Sequence, residues 1–420
     1  MNDSIPDYNS PISKAIKSVG VGKRGSKSLS RELTENLAGD IKHKAVSEIQ
    51  LGAFLGALVI KGLSEEENAL KDLLPKDIFK DYSVLIDYIS PNTPKPIKEF
   101  SLRLLGNETL KKEEAYILGQ FLFSNEPSDG LRAMIASVLR VRYETQEEYG
   151  GILKSMDNVI IETFKSPLKS NKTIIQLAEP FDGVDHSNLI TPLIAFQIQK
   201  LNYQTICLTG RNSGPKFGNN LFDLAKILRL PFVKNHDDLL KAEPVMGWYA
   251  HQADLSPAID RWVGIRKQTI KRPFLATLER FINPFNAGII IASAFHPSYG
   301  EKMIGICQNA GYPSAIIVRN GLEGTIAFPL MRSAKILCTA KKKDGSYAIE
   351  EFNFSANGDL NIHVKREEKL EFPSLDKNAA LINAFVNDGK TGYPLFDYRI
   401  KATCLGLTKA IEWIENNYNQ

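Results

Sequence analysis

Five short runs of β-branched and apolar residues punctuate the chain after about residue 172: TIIQLA (173–178), TICLTG (205–210), GIIIASAF (288–295), SAIIVRNG (314–321) and AKILCT (334–339). None keeps a strict alternation of apolar and polar residues, so neither face of these strands is written for water. Segments of helical period separate them. That combination folds as a mostly parallel sheet with helices on both faces. Residues 169–420 are therefore expected to form an α/β domain. Asp344-Gly345 and Asn357-Gly358 lie between the alternating runs SYAIEEFNF and LNIHVKRE and predict hairpins at an antiparallel end. A helix over 400–417 is expected to close the chain.

The preceding part is helical and repeats itself. Ile16-Lys17 recurs at Ile97-Lys98, Leu29 at Leu110, Glu32 at Glu113, Leu58 at Leu139 and Glu66-Glu67 at Glu147-Glu148, all at one offset (110 − 29 = 81). Lys61 meets Arg142 and Ser64 meets Thr145, so both copies carry a basic residue and a helix cap before an acidic first turn. Two helical units are expected, 1–85 and 86–168. They join near Pro91, Pro94 and Pro96, which discourage helix. With 420 residues the chain can bury a large core. A formal charge of +4 does not by itself indicate a nucleic-acid binder. Cys207, Cys307, Cys338 and Cys404 lie far apart in apolar runs, which predicts reduced thiols and a cytoplasmic location. No signal-peptide core or membrane-spanning run is evident, so no membrane partner is expected.

The segment IRKQTIKRPFLATLERFINP (265–284) reads as a helix running into a turn, with Arg266, Lys267, Lys271, Arg272 and Arg280 beside an apolar stripe. Its spacing resembles the Val-Arg-x-x-Leu-Gly-x-Arg-Thr-x-x-Asn-x-x-Gly-Pro-x-x-Asn-Pro segment of anthranilate phosphoribosyltransferases. Arg266 takes the place of the first Arg, Arg272 of the second, and Asn283-Pro284 of the last pair. LSRELTENL…QLGAFLGALVIKGLSEEE (29–67) resembles that family's helical N-terminal domain. FHPSYGEKMIGICQNAGYPSAIIVRNGLEG (295–324) resembles its Phe-His-Pro strand and loop, and NAALINAFVNDGKTG (378–392) its closing helix. The family normally has one helical unit, so the duplication is a departure. The segment 248–280 is expected to be helical and to pack with the helical domain.

The resemblance implies transfer of phosphoribose from phosphoribosyl pyrophosphate to an aromatic or heterocyclic acceptor such as anthranilate. Such chemistry requires amides that cradle a diphosphate, a metal on that diphosphate, and a pocket that orients the acceptor. The family's Gly-rich loop and following Asn-x-Ser-Thr become EPFDGVDHSNLITP, which keeps Asp182, Gly183, Asn188 and Thr191. Asn188 and Thr191 either cap a helix or hold an anion. The later loops keep Gly210, Arg211, Lys216, Gly218 and Asn219, a basic, Gly-containing composition suited to an anion. His251 and Arg266 correspond to the acceptor side. His251 and His296 are either proton carriers or hydrogen-bonded structural residues, and Trp248 and Tyr249 either stack on a ring or belong to the core. The family's magnesium-binding Asp-Glu pair is absent, and Glu323 is the nearby acid. The resemblance implies magnesium and no organic cofactor, and a homodimer through the helical domain.

A second branch of the family, outside tryptophan synthesis, carries Gly-x-Gly-Lys-x-Gly-x-x-x-Leu-Ser, close to residues 20–30 here. It also keeps Thr-Leu in the arginine segment, here Thr277-Leu278. A cyanobacterial-type paralogue segment, Lys-Arg-Pro-x-Leu-Ala-Thr-Leu-Glu, matches 271–279 nearly residue for residue. At least one protein of the branch binds DNA without evident sequence preference. Lys14, Lys17, Lys23, Arg24, Lys27 and Arg31 form a basic stretch with no intervening acid. The alternative expectation is thus a non-catalytic protein that binds nucleic acid through phosphate attraction.

Overall fold

The computed structural model describes residues 5–22, 25–165, 172–294 and 299–418. Lys23, Arg24 and His296 lie outside the described residues. The chain divides into two compact units: Met1–Val159 with Ser213–Pro215 and Arg261–Leu278, and Ile160–Asn212 with Lys216–Asp260 and Glu279–Gln420.

The first unit is helical. Its elements are α1 (Pro11–Val19), α2 (Arg31–Lys42), α3 (Glu48–Lys61), α4 (Tyr82–Ile89), α5 (Lys95–Leu105), α6 (Lys112–Leu122), α7 (Asp129–Arg142) and α8 (Gln146–Asn158). The bounds of α3 and α7 differ by the repeat offset at both ends (129 − 48 = 142 − 61 = 81). Serine side chains cap both, Ser47 at α3 and Ser128 at α7, each accepting an orphan amide of the first turn. The two helices cross with their backbones almost touching. A Cβ on Gly52 would lie 2.0 Å from the Gly130 carbonyl oxygen. Only a residue without a side chain permits that approach.

The repeated residues explain the repeated fold. Glu67 accepts hydrogen bonds from the amides of Leu29 (2.9 Å) and Ser64 (2.8 Å) and from Lys61 Nζ (2.8 Å). Glu148 accepts from the amides of Leu110 (3.0 Å) and Thr145 (2.8 Å) and from the Arg142 guanidinium (2.5 Å). Every member of one network is 81 residues from its counterpart in the other (148 − 67 = 81). A buried carboxylate is tolerable only when its lone pairs are filled, and each copy fills them in the same way.

The arginine segment does not form the continuous helix expected over 265–284. It breaks into α13 (Trp262–Thr269) and α14 (Leu275–Leu278). Between them Ile270 adopts a left-handed conformation (φ 60°), and Pro273 cannot continue a helical ladder. Trp262 anchors the segment by donating Nε1–H to the Leu122 carbonyl (3.0 Å) and packing edge-on against Phe274.

The second unit contains a seven-stranded sheet among the described residues. The strands are β1 (Ile174–Ala178), β2 (Gln204–Thr209), β3 (Trp248–His251), β4 (Ile289–Ser293), β5 (Ser314–Val318), β6 (Ala334–Lys341) and β7 (Tyr347–Phe354). Their order is β3-β2-β1-β4-β5-β6-β7. β1 to β5 are parallel, while β6 and β7 run antiparallel at one edge. β1, β2, β4 and β5 are buried throughout, as their unbroken apolar texture requires. The helices are α9 (Thr191–Gln199), α10 (Leu221–Ile227), α11 (Gln252–Leu255), α12 (Pro257–Asp260), α15 (Gly300–Asn309), α16 (Ala356–Leu360), α17 (Leu375–Asp388) and α18 (Pro394–Asn417).

Two further expectations need correction. Residues 248–251 of the expected helical segment 248–280 form the outer strand β3, and 252–260 supply only two short helices of this unit. The part within the helical unit is Arg261–Leu278. The Asp344-Gly345 hairpin joins β6 to β7, but Asn357-Gly358 falls inside α16, because Ser355 caps a helical turn there instead. Cys207, Cys307 and Cys338 are buried, Cys404 is half-buried, and none of the four is in a disulfide. No helix among the described residues is long and apolar enough to cross a membrane.

Candidate functional site

The strand order reverses beside β1. From β1 the chain moves outward through β2 to β3, whereas β4 and β5 lie on its other side. Loops leaving the carboxyl ends of β1 and β4 diverge at such a point, which is where open parallel sheets bind ligands. The segment after β1 (179–190), residues 216–220, and the segment after β5 (319–325) meet within this unit.

Asp182, Gly183 and Gly218 come together there. Val184 and Asn219 exchange backbone hydrogen bonds of 2.9 and 2.8 Å, and the Gly218 amide donates to the Asp182 carbonyl at 2.9 Å. Gly183 has φ +73°, and a Cβ on it would sit 2.3 Å from the Asn219 carbonyl oxygen. These glycines let two loop backbones touch.

Glu323 occupies the centre of this arrangement. Its carboxylate accepts from the consecutive amides of Asp185 (2.9 Å) and His186 (2.8 Å) and pairs with Lys216 Nζ at 2.7 Å. Two successive amides and an ammonium are the donor set of an anion nest, and here an internal carboxylate fills it. Burial raises the carboxyl's pKa, but Lys216, the Asp185 amide and the Ser187 hydroxyl outweigh that and hold it below the usual range. The backbone at Glu323 is left-handed (φ 51°), a conformation that costs a non-glycine residue roughly 1 kcal/mol.

Thr191 is the first residue of α9, whose N-cap is Ile190 with no side-chain cap. Neither Asn188 nor Thr191 caps that helix. The Thr191 hydroxyl donates to Glu179 at 2.7 Å, and Asn188 is buried. Glu179 directly follows β1 at the reversal point and also accepts from the Ile326 amide at 3.2 Å. It is 2% exposed. Burial pushes its carboxyl up to about 7, against the lowering effects of Thr191, the Ile326 amide and Arg280. Arg280 is held by the Ala178 carbonyl and by the hydroxyl and carbonyl of Ser293 (3.3, 3.1 and 2.8 Å). Sequence reading passed over Glu179. The available signal was an acid placed immediately after the first fully apolar strand.

Arg211 forms a forked pair with Asp260, its Nε lying 3.1 and 3.0 Å from the two carboxylate oxygens. Gly210 faces the Phe181 ring, which a Cβ would meet at 2.3 Å. His251 ends β3 and stacks on Phe222, ring centroids 3.8 Å apart. Burial lowers its pKa against the opposing pull of Asp260 and Asp254, which favours the neutral imidazole. Its Nδ1 is buried without a hydrogen-bond partner among the described residues, as are both side-chain polar atoms of the adjacent Gln252. Buried polar atoms of this kind ask for a partner from outside the chain. Gln252 was not anticipated from sequence. Trp248 and Tyr249, by contrast, are core residues of β3.

Arg266 belongs to the helical unit, is 2% exposed, and donates Nε–H to the Gly214 carbonyl at 2.8 Å. The Glu323 carboxylate pairs with Lys216 at 2.7 Å, so a magnesium ion on a bound diphosphate would be held chiefly through the phosphate oxygens.

Several known proteins are similar to this chain. Residues 13–69 match the helical bundle domain of a glycosyl transferase family. Anthranilate phosphoribosyltransferase from Thermus thermophilus superposes with a TM-score of 0.55 at 17% identity, over 76% of this chain and 94% of that one. The chain is anthranilate phosphoribosyltransferase-like in fold. The Saccharomyces cerevisiae enzyme, solved in complex with PRPP and Mg, superposes with a TM-score of 0.51 at 13% identity over 77% of this chain and 94% of that one. An uncharacterized protein of Aquifex aeolicus (strain VF5) is 25% identical over 225 residues, 53% of this chain and 67% of that relative. The family match at 13–69 falls on the first of the two helical copies.

Proposed function

We propose that this phosphoribosyltransferase-like protein takes the diphosphate of a phosphoribosyl donor at the loops following β1, β2 and β5, in competition with its own Glu323. The observation that carries this reading is the Glu323 carboxylate in the nest of the Asp185 and His186 amides and Lys216. An anionic phosphate oxygen would use the same three donors. The acceptor side is assigned to His251 and Gln252, whose Nδ1 and side-chain amide respectively have no hydrogen-bond partner among the described residues. A planar acceptor with hydrogen-bonding edges would satisfy them and extend the Phe222–His251 stack.

Glu323→Gln tests the competition. It removes the internal negative charge while keeping the side chain's size. Binding of phosphoribosyl pyrophosphate, followed by thermal shift and calorimetry with and without magnesium, is expected to tighten about tenfold in the variant, the value of one charge-assisted contact. Equal affinity in the two proteins, or no binding by either, overturns the reading. Adding anthranilate and following its fluorescence then reports whether transfer occurs.

A second reading is favoured by Lys14, Lys17, Lys27 and Arg31, all exposed on the helical unit. Under it the protein binds nucleic acid through phosphate contacts. Gel-shift titration is then expected to show binding that weakens steeply between 50 and 200 mM salt, roughly in proportion to the number of phosphates contacted. Binding indifferent to salt would count against it.

A further inference from the structure

Side chains at the carboxyl ends of β2 and β3 hold buried polar atoms with no hydrogen-bond partner among the described residues: Asn212 Oδ1, His251 Nδ1, and both Oε1 and Nε2 of Gln252. The topology makes these residues neighbours. Thr209, the last residue of β2, pairs in parallel register with His251, the last residue of β3. Gln252 follows directly as the first residue of α11, and Asn212 lies three residues past Thr209. Adjacent strands are about 4.8 Å apart, so Asn212, His251 and Gln252 leave the same end of the sheet together.

Their surroundings hold them in place. The His251 ring lies flat on Phe222, with the planes at 8°, and meets Phe232 edge-on at 85°. Asn212 donates Nδ2–H to the Gly218 carbonyl at 2.7 Å, which ties it to the loop that carries Lys216 and leaves its Oδ1 open. Gln252 is 1% exposed. A packed interior rarely leaves a whole side-chain amide unmatched. Water can fill such atoms in the free protein, and a ligand that offers the same donors and acceptors displaces it.

The open atoms define what that ligand must offer. The Gln252 amide presents a carbonyl acceptor beside N–H donors, whichever way round it is turned. Asn212 Oδ1 is a second acceptor. Both oxygens call for an N–H from the ligand, and the Gln252 N–H calls for an oxygen. A carboxylate on the ring accepts only, so it would leave the two carbonyl oxygens unmatched. A lactam or carboxamide carries N–H and C=O on one edge and meets the Gln252 amide twice. Resting on the acceptor-side assignment of His251 and Gln252 above, we propose that Gln252, with Asn212, selects a neutral planar acceptor bearing an amide-type edge over one bearing a carboxylate.

Anthranilate and anthranilamide form the matched pair of probes, since they share ring and amine and differ only in carboxylate against carboxamide. Each is titrated by fluorescence into the full chain, as wild type and as Gln252→Met, with and without phosphoribosyl pyrophosphate and magnesium. Wild type is expected to bind the amide at least about tenfold tighter than the acid, because a site built to hydrogen-bond discriminates against a group that leaves it unpaired. Gln252→Met is expected to bring the two affinities within about threefold. Methionine keeps the side chain's length and removes an unmatched buried amide, so the variant should unfold no earlier than wild type. Markedly earlier unfolding would show the amide to be matched inside the protein and overturns the proposal. An acid bound as tightly as the amide overturns it while leaving a ring site in place. A preference for the amide that survives Gln252→Met overturns it as well. Binding of neither ring to wild type overturns it together with the acceptor-side assignment, whereas the diphosphate reading stands or falls separately on Glu323→Gln.

Discussion

Glu148→Ala is expected to destabilise the protein by about 3–5 kcal/mol, the usual cost of removing one partner from a buried ion pair. Glu148 is 1% exposed and Arg142 is 6% exposed. Truncation would leave the guanidinium buried without its carboxylate and would also strand the amides of Leu110 and Thr145. Urea unfolding followed by circular dichroism measures the loss. Glu148→Gln keeps a carbonyl acceptor for one amide and should cost less. Pairing Glu148→Ala with Arg142→Leu should recover part of the loss, since no buried charge then remains. The Glu67 network offers the internal comparison, with equivalent backbone amide donors but a lysine in place of the arginine. A loss below about 1 kcal/mol for Glu148→Ala would show that the network does not stabilise the unit as argued.

Glu179→Gln is expected to remove a pH dependence of stability. The ordinary glutamate pKa is about 4.3, and burial lifts the folded-state value of Glu179 to about 7. The folded state therefore holds the proton more tightly than the unfolded state. Its stabilising effect is fully present below the unfolded pKa and is lost as pH rises through the folded one. At 1.36 kcal/mol per pKa unit, wild type should lose on the order of 3 kcal/mol of stability between about pH 4.5 and pH 8 through this group. Glutamine imitates the protonated acid, so the variant should match wild type near pH 4.5 and exceed it at pH 8. Parallel urea titrations at the two pH values check this. A wild type that gains stability relative to the variant on going to pH 8 would reverse the sign and refute the assignment. A carboxyl that changes charge near neutrality, at the reversal point of the sheet, is also suited to proton transfer.

Much of the architecture was readable beforehand. Ile289–Ser293 and Ser314–Val318 announce themselves by unbroken apolar composition, since strands buried on both faces admit little else. Trp248–His251 escaped because four residues of mixed type, two of them aromatic with polar tips, carry no strand signature. Its place in the sheet is set by pairing with β2. The loop glycines were legible as loop residues, but their purpose was not. Gly183 and Gly218 allow two segments to touch, and which segments meet is a matter of topology.

The amino-acid sequence by itself determined the helical duplication and the α/β class of the remainder. Periodicity, caps and an 81-residue offset are properties of neighbours along the chain. Only the tertiary structure decided what each charge does. Lys216 and Glu323 are 107 residues apart in sequence and 2.7 Å apart in space. Arg211 reads as a phosphate ligand until Asp260 is found beside it. A carboxylate's role depends on its solvation and its partners. Those are fixed when distant segments pack, so Glu323 became an internal anion and Glu179 a buried acid that titrates near neutrality.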